Sequence, residues 1–450
     1  MARSSRLLLW ALLSLPTPSL CGSMAAWWTD IGPSFVMQNA STGLLTHNLC
    51  HSNNTPLYPV DPPVSFQTTY APKDGTSLAA TGWFDSKTTW ASLFYQNNND
   101  DIVNAVYTCD FQTGAYKHVE SSVISDRSGT PAVHPETGPS VTLLGEQEGY
   151  RVFFHDRAKA LQHVKFTQVE NWSYGGPVST NTNRSGMAIH SMFSGVRNVT
   201  VVTPRDSSNM EVSRLNIDGT WHISTFPTPF RSTNVTNISN TTSVPYANTI
   251  TLTPTTPLES WSGNPKALGV AIDTLLTRHI FYIGLDRAPH TLSTFVTTST
   301  IPGPGKGGNT VDVTEREWRP QPPQDETHWP LADSPSADFA IASQLGTSSI
   351  RLYYVSGGGV VEVRYTGGRW DVAGELAAFN KNGTIGGTGE GSGGKEGGGG
   401  LTAEQKVGVG VGVGVGVLGV GVAVVMGRWW VVREREGGFG PFGVVLGRMG

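Results

Sequence analysis

The side chains that most often perform catalysis are present in this 450-residue chain, but they do not form a known catalytic pattern. Its 11 histidines include no HExxH motif, and no Cys/His spacing typical of a metal site occurs. Neither a G-x-S-x-G nucleophile elbow nor a P-loop is present. We therefore expect no enzyme activity, no metal site and no cofactor.

The residue type with the clearest chemical signal is asparagine in N-x-[ST] glycosylation motifs. One or two such motifs are expected by chance in a chain rich in Ser and Thr, but nine favour a glycosylated extracellular domain. The acceptors are Asn39, Asn53, Asn171, Asn183, Asn198, Asn234, Asn237, Asn240 and Asn382.

Three cysteines leave the redox chemistry open. Cys21 is expected to leave with an N-terminal signal peptide, so that Cys50 and Cys109 remain. These two form one disulfide in an oxidising compartment or stay as two buried thiols, and the sequence does not decide between them.

The N-terminus has the order of a secretory signal peptide. Arg3 and Arg6 precede an apolar run over residues 7–15, and small residues follow at Cys21–Ser23. The run is too short to anchor the chain in a bilayer. We predict a signal peptide over residues 1–23, the alternative being an unstructured N-terminus with a few leucines.

The C-terminal part of the chain predicts a membrane anchor. A glycine-rich linker over residues 381–406 precedes 20 residues from Val407 to Met426 that carry no polar side chain. A helix of that length crosses the hydrocarbon core, and the basic residues after Trp430 indicate the cytoplasmic side. We therefore expect a transmembrane helix over residues 407–427, a cytoplasmic tail over residues 428–450 and single-pass type I topology, with the ectodomain extracellular or in the secretory lumen.

Glycines spaced by four residues in this predicted helix permit weak self-association of the membrane segment. The alternative is a low-complexity valine-glycine sequence with no packing role. The net charge of −4 gives no reason to expect a nucleic acid as a partner.

Between the two ends, one pattern recurs six times. Each copy has short apolar runs on either side of a polar turn and reads as a β-hairpin. The central apolar residues of the six copies are Val36, Phe94, Phe153, Val201, Phe281 and Tyr353.

An aromatic residue follows most of these hairpins by 17 to 22 positions. It is Tyr116, Trp172, Trp221 or Trp370, with Trp318 as a delayed copy in the fifth unit. Repeats of this size predict an all-β fold, a six-bladed β-propeller over residues 24–380, with surface loops at residues 225–260 and 301–335. A pair of β-sandwiches is the alternative, but sandwiches do not require six similar hairpins.

The hairpin segments RVFFHD and IRLYYVSGGGVVEVRYTGGRW resemble the repeat of the fungal fucose-specific lectins. That family forms six-bladed propellers and binds fucosylated glycans in clefts between blades. Its repeat has an arginine two residues before a pair of aromatics, a turn with glycine, a glutamate on the returning strand and then a tryptophan. The resemblance covers residues 25–378.

The resemblance implies a sugar site in the sixth unit, made of Arg351, Glu362 and Trp370. Arginine and glutamate supply donors and acceptors for vicinal hydroxyls, and an aromatic face accepts the apolar patch of a deoxy sugar. The alternative is a cross-strand ion pair with a tryptophan that belongs to the blade core.

Only part of the motif occurs elsewhere. The third unit keeps Arg151 and Trp172, with His163 in the position of the glutamate. The fourth unit has Val199 at the arginine position, and the fifth has Arg278 one residue out of register. The first two units lack the arginine and have His47 and Asn104 near the position of the glutamate, so we expect one or two sites in total.

The sequence thus predicts a lectin-like, fucose-binding ectodomain on a membrane anchor, with fucosylated glycans or glycoproteins as partners. One alternative is a non-catalytic interaction protein or cell-surface scaffold that kept the fold and lost the sites. Another is a propeller glycoside hydrolase, since LNIDGTW from Leu215 resembles the Asp-box turn of propeller sialidases; Asp218-Gly219 is more simply a hairpin turn.

Overall fold

The structure of the protein is a computed structural model. It describes residues 21–386, apart from residues 54, 146–147, 194–198, 207–208, 216–220, 226–257, 262–267, 274–276, 303–308, 316–317, 344–348, 377 and 381–384. The predicted linker (apart from the segment at 385–386), membrane helix and tail, and residues 1–20 of the predicted signal peptide, lie outside the described residues. Within those described ranges, no helix has the length and hydropathy of a membrane span.

The described residues form 28 β-strands, most of them in six sheets that we call blades 1 to 6. Blade 1 has β1 (Cys21–Trp28), β2 (Pro33–Asn39) and β3 (Leu45–His47). A separate strand, β4 (Tyr58–Asp61), follows. Blade 2 has β5 (Ala79–Phe84), β6 (Thr89–Gln96), β7 (Ile102–Cys109) and β8 (Tyr116–Val123). Blade 3 has β9 (Ser140–Leu143), β10 (Tyr150–His155), β11 (Leu161–Thr167) and β12 (Asn171–Ser179).

The second half of the chain repeats this arrangement. Blade 4 has β13 (His190–Phe193), β14 (Val199–Pro204), β15 (Met210–Leu215) and β16 (Trp221–Thr225). Blade 5 has β17 (Leu268–Ile272), β18 (Thr277–Ile283), β19 (Pro289–Pro302), β20 (Asn309–Glu315) and β21 (Arg319–Pro320). Blade 6 has β22 (Phe339–Ser343), β23 (Ile350–Ser356), β24 (Gly359–Thr366), β25 (Arg369–Trp370) and β26 (Gly374–Glu375). The last strands are β27 (Ala378–Asn380) and β28 (Ile385–Gly386).

The blades are antiparallel and close into a ring. The first strand of each blade contacts the first strand of the next, in the order β1, β5, β9, β13, β17 and β22, and β22 contacts β1 again. The last part of the propeller returns to the first, because β27 pairs in parallel with β4. The prediction of an all-β, six-bladed propeller is therefore confirmed.

The hydrophobic core lies between the blades. Six clusters of buried side chains each join two neighbouring blades of the described chain, including blades 6 and 1. Strand residues alternate between the two faces of a sheet, so each blade has one face toward the preceding blade and one toward the following blade. This alternation decides which side chains can share an inter-blade site.

The repeat is not uniform. In blade 5 the second half of β19 pairs with β20, which lies in the predicted loop at residues 301–335, and this ribbon delays Trp318 in the sequence. In blade 4, Val202 rather than Val201 lies in the cluster with the following blade. The predicted register of the fourth unit is thus wrong by one residue, because a run of valines, VTVV, offers two equally apolar alignments.

A disulfide connects the first two blades. Cys50 follows the last strand of blade 1 and Cys109 ends β7, and their Cα atoms are 5.6 Å apart. Of the two alternatives that the sequence left open, the structure contains the disulfide.

Candidate functional site

The hairpin of β23 and β24 positions the predicted arginine and glutamate. Gly357 and Gly358 connect the strands with φ angles of 64° and 80°, which a two-residue hairpin turn of this kind requires. The Asp333 carboxylate accepts hydrogen bonds from both of their backbone N–H groups, at 2.7 and 2.8 Å. The turn fixes the register of the hairpin.

That register places four polar side chains on one face of blade 6. Tyr353 lies opposite Glu362, and Arg351 lies opposite Arg364. Because residues two apart on a strand point to the same side, all four face the same way. Tyr353 belongs to the cluster shared with blade 1, so this face points toward blade 1.

Blade 1 supplies an aromatic wall to this group. The guanidinium carbon of Arg351 lies 5.5 Å from the centre of the Trp28 ring, within the range of a cation–π contact. Tyr353 packs on Phe35 of blade 1, with ring centres 4.9 Å apart. Trp28 is half-buried. We call Arg351, Tyr353, Glu362, Arg364 and Trp28 the closure site, because it lies where the ring of blades closes.

The closure site contains hydrogen-bond donors that have no acceptor among the described residues. Arg351 and Glu362 are 6% and 3% exposed, and the Arg351 Nε lies 3.9 Å from a Glu362 oxygen, beyond hydrogen-bonding distance. The Nε and Nη1 atoms of Arg351 are buried and donate no hydrogen bond to any described residue. Burial lowers the pKa of Arg351, and the negative charge of Glu362 opposes that effect.

The Glu362 carboxylate is held from two sides. Its Oε2 accepts a hydrogen bond from the Tyr353 hydroxyl at 2.8 Å, and its Oε1 accepts one from the Arg364 Nε. Burial and the Glu362 charge raise the pKa of Tyr353 well above its ordinary value, so the hydroxyl stays a neutral donor.

Trp370 does not join this group. It lies opposite Tyr365, which is three residues from Glu362 and therefore on the other face of blade 6. Its ring packs against Trp329 at 4.9 Å and against Phe281 of blade 5 at 5.8 Å. Contrary to the expectation from sequence, the structure separates Trp370 from Arg351 and Glu362.

Blade 3 repeats the strand positions of blade 6 with different contacts. Arg151 lies opposite Lys165, and Phe153 lies opposite His163, so His163 occupies the position of Glu362. The Arg151 guanidinium donates to the Glu148 backbone oxygen at 2.7 Å and to its carboxylate at 3.3 Å. The arginine of this blade is bound to its own preceding turn.

His163 fills its interface as a packed side chain. Its Nδ1–H donates to the backbone oxygen of Gly176 at 2.9 Å, and its ring lies 5.9 Å from Phe153 and 5.8 Å from Trp221. Burial lowers the pKa of His163 to about 3, so the ring is neutral.

Trp172 also lies apart from its arginine. It pairs with Phe166 on the opposite face of blade 3 and stacks on Tyr150, with ring centres 5.9 Å apart. It contacts Phe94 of blade 2 at 6.1 Å. The structure therefore does not bring Arg151 and Trp172 into one site.

The other blades carry neither member of the pair. With the register corrected, the positions of Arg351 and Glu362 hold uncharged or histidine side chains. They are Ser34 and His47, Ser92 and Asn104, Thr200 and Val212, and His279 and Thr291. Arg278 faces blade 4 rather than the arginine position, as its offset in sequence predicted.

The aromatic that follows each hairpin has a common structural role. Tyr116, Trp172, Trp221, Trp318 and Trp370 each pack in the cluster shared with the preceding blade. Tyr58 is the missing member in blade 1, buried against Phe35 of its own blade and in the cluster shared with blade 6. Tyr58 lies 22 residues after Val36, the same spacing as Tyr116 after Phe94, and this spacing could have identified Tyr58 from the sequence.

Three members of the closure site escaped the sequence analysis. Arg364 and Tyr353 each lie two residues from a predicted site residue on the same strand, and the period of a strand was enough to find them. Trp28 is more than 300 residues from Arg351, and only closure of the ring brings it near. Among the residues that the structure describes, no cluster of His, Cys, Asp or Glu suits a metal ion.

No protein-family model matches this chain, and no curated protein matches its sequence significantly. Solved structures do match. AofleA from Arthrobotrys oligospora is 11% identical, over 78% of this chain and 85% of that chain, with a TM-score of 0.51. A fucose-specific lectin from Aleuria aurantia is 11% identical, over 79% and 95% of the two chains, with a TM-score of 0.51.

A variant of Aleuria aurantia lectin in complex with Fucα1-6GlcNAc is 10% identical, over 79% and 95% of the two chains, with a TM-score of 0.50. Identities this low establish similarity of fold and not of binding residues. The described chain, with its ring of six blades, therefore has the propeller fold of the fungal fucose-specific lectins.

Proposed function

We propose that this protein is a glycan-binding propeller with one working site, the closure site. The observation that carries the proposal is the Arg351 guanidinium, 6% exposed and with two N–H-bearing atoms that lack an acceptor among the described residues. A buried donor without a partner is costly, and a ligand oxygen beside it removes that cost. Glu362 supplies the adjacent acceptor, and Trp28 supplies a flat apolar wall for a sugar ring.

Fucosylated glycans are the first ligands to test. One similar structure is named a fucose-specific lectin, and another was solved in complex with a fucosylated disaccharide. Similarity of fold supports testing this ligand class, while the closure site itself supplies the chemistry. In this proposal Trp28 takes the aromatic role that we predicted from the sequence for Trp370.

A single site follows from the side chains of the other interfaces. Arg151 is bonded to Glu148, and His163 is packed between Phe153 and Trp221. We therefore expect monovalent binding per chain, with weak retention by a surface coated with sparse glycans.

A glycan array probed with the full-length chain tests the proposal. We expect fucosylated glycans to be bound by the wild type, lost in Arg351→Ala and Trp28→Ala, and retained in Arg151→Ala and Trp370→Ala. The last two variants are matched controls, since each removes the same residue type from an interface outside the closure site. Binding that survives Arg351→Ala would place the site elsewhere, and absence of any glycan binding would contradict the proposed function.

A scaffold without sugar binding is the second candidate. The observation in its favour is that the five other described interfaces lack an arginine–glutamate pair at the strand positions of Arg351 and Glu362. A folded protein that binds no glycan on the array favours this candidate. Turnover of chromogenic glycosides would instead favour a propeller hydrolase, whose suggested Asp-box turn at residues 216–220 lies outside the described residues.

We also propose that the propeller is displayed on a membrane as a single-pass type I glycoprotein with a cleaved signal peptide. The described acceptors Asn39, Asn53, Asn171 and Asn183 are all at least partly exposed, and the Cys50–Cys109 disulfide suits an oxidising compartment. Peptide-N-glycosidase treatment of the cell-expressed protein should increase its gel mobility. Unchanged mobility would contradict the secretory route, and crosslinking of the full chain in membranes tests self-association of the predicted membrane helix.

A further inference from the structure

The closure site contains one arginine more than the sugar-binding pair requires. Arg364 lies on the same face as Glu362, two residues further along β24, and opposite Arg351. Its Nε donates to Glu362 Oε1, the oxygen that also lies nearest to the Arg351 Nε. Arg364 therefore competes with a neutral sugar hydroxyl for this oxygen.

Acceptors are scarce at this site. Glu362 Oε2 already accepts the Tyr353 hydroxyl at 2.8 Å, and the carboxylate is almost completely buried. A vicinal diol binds well only where its O–H groups find acceptors and its oxygens find donors. Each oxygen of the Glu362 carboxylate already accepts one hydrogen bond, from Arg364 or from Tyr353, so less acceptor capacity is left for a neutral diol.

Donors and positive charge are in excess. The Nε and Nη1 of Arg351 have no acceptor among the described residues, and two arginines face one glutamate. Burial and the charge of Arg364 lower the pKa of Arg351, whereas the charges of Glu362 and Asp371 raise it.

We infer that Arg364 makes the closure site select a sugar that carries an anionic group, a carboxylate or a sulfate, over its neutral counterpart. The inference rests on the proposed function and names the ligand class of that same site. A ring carboxylate or sulfate presents several acceptor oxygens and no competing donor, which matches the buried N–H groups of Arg351 that lack an acceptor among the described residues. Such charge-assisted, two-point hydrogen bonds are stronger than neutral ones.

The position of Arg364 permits it to take part directly. Its side chain is 38% exposed, whereas that of Arg351 is 7% exposed, so Arg364 is the arginine of the closure site that solvent reaches more easily. An anion bound to Arg351 attracts Arg364 as a second partner, and Trp28 remains available to stack on the ring. Arg364 is thus a specificity residue, and Arg351 is the binding residue.

The experiment measures binding of three ligands to the full-length chain by isothermal titration calorimetry. The ligands are methyl α-L-fucoside, its monosulfated form and a methyl uronide, which separates sulfate from carboxylate as the source of the anion. We expect at least one anionic ligand to bind about tenfold more tightly than the neutral one, as loss of a charge-assisted hydrogen bond implies. Its affinity should fall with added salt, and that of the neutral ligand should not.

Arg364→Gln and Arg364→Ala test the role of the second arginine. Each should lower the affinity for the anionic ligand by about tenfold and raise the affinity for the neutral one, because Glu362 Oε1 no longer accepts a hydrogen bond from residue 364. Arg157→Ala is the charge-matched control, since Arg157 is exposed on blade 3 and far in sequence from the closure site. It should leave both affinities unchanged, and the thermal unfolding profile of each variant checks that it folds.

The outcomes separate this inference from the proposed function. If the neutral fucoside binds as tightly as the anionic sugars, or if both Arg364 variants keep the wild-type preference, the inference is wrong and the glycan-binding proposal stands. If no ligand binds to the folded wild type, the proposed function fails as well. An anionic preference that persists in Arg351→Ala belongs to another part of the chain and also overturns the inference.

Discussion

The interface between blades 3 and 4 and the interface between blades 6 and 1 use the same strand positions for different purposes. Arg151 and Arg351 are equivalent, as are Phe153 and Tyr353, and the main difference is His163 in the position of Glu362. A neutral histidine leaves the arginine without a counter-charge across the strand. Arg151 accordingly bonds to Glu148 in the preceding turn, whereas Arg351 remains beneath Trp28.

An arginine in a repeat motif is therefore not by itself a binding residue. Its neighbours determine whether its N–H groups are hydrogen-bonded within the blade or lack an acceptor at the interface. In blade 3 a packed histidine and a nearby carboxylate close the site. In blade 6 the carboxylate lies on the opposite strand, where geometry leaves 3.9 Å between it and Arg351.

The largest effect is expected from the aromatic walls of the two interfaces. Trp221 is buried between Phe153 and His163, so Trp221→Ala should lower the free energy of unfolding by about 3–5 kcal/mol. Trp28 is half-buried and contacts Arg351 by one face, so Trp28→Ala should cost about 1 kcal/mol. Chemical denaturation of both variants measures the two losses in the free energy of unfolding. Equal losses would contradict the view that, of these two interfaces, only the one between blades 3 and 4 is filled by packed side chains.

The two carboxylates provide the next largest contrast. Glu362→Ala leaves Arg351 buried without its counter-charge, which should lower the free energy of unfolding by about 3 kcal/mol. Glu148→Ala removes a partly exposed partner of Arg151 and should cost less than about 1 kcal/mol. Urea unfolding of the two variants at the same pH makes the comparison. If Glu148→Ala is the more damaging change, the assignment of Arg351 as the buried, unsatisfied arginine is wrong.

His163 gives the blade 3 interface a pH dependence of its own. The unfolded chain holds this histidine near its ordinary pKa of about 6.5, and the folded chain holds it at about 3. Between these values the unfolded state binds more protons, so the contribution of His163 is complete above about pH 7 and is lost as the pH falls. At pH 5 the loss is about 2 kcal/mol.

His163→Gln removes that term. The free energy of unfolding of this variant, minus that of the wild type, should rise by about 2 kcal/mol between pH 7 and pH 5. The difference is the quantity to measure, because burial also lowers the pKa of His47 and His190 to about 4 and these act equally in both proteins. A difference that stays constant with pH would show that folding does not lower the pKa of His163.

The smallest effect is expected for Arg151→Ala. Its guanidinium bonds to a backbone oxygen and to a carboxylate near the surface, so its loss should change stability by no more than about 1 kcal/mol. Sugar binding should be unchanged. A loss of binding as large as that caused by Arg351→Ala would show that both interfaces hold ligands.

The repeat itself was predictable from the sequence because each blade is built from local contacts. The apolar residues at Phe94, Phe153 and Phe281 recur with a polar turn after each, and a hairpin depends only on such short-range patterns. The trailing aromatics were visible for the same reason, and Tyr58 would have been found by its spacing. The fourth unit failed, because two adjacent valines at Val201 and Val202 leave the face of the strand undetermined.

The composition of the site was predictable only in part. Arg351 and Glu362 were identified from one hairpin, and the strand period also gives Tyr353 and Arg364. The face of Trp370 required the register of β24 with β25, which the sequence does not state. One residue of shift would have moved that ring to the closure site.

The all-β fold, the six hairpins and the arginine–glutamate pair were all predictable from sequence alone, since these depend on alternation and turns within a few tens of residues. Which side chains surround each arginine depends on tertiary packing. Closure of the ring brings blade 1 against blade 6 and places Trp28 beside Arg351, and packing in blade 3 turns Arg151 toward Glu148. Contacts between residues so distant in sequence arise from the closed geometry of the propeller, which no local pattern encodes.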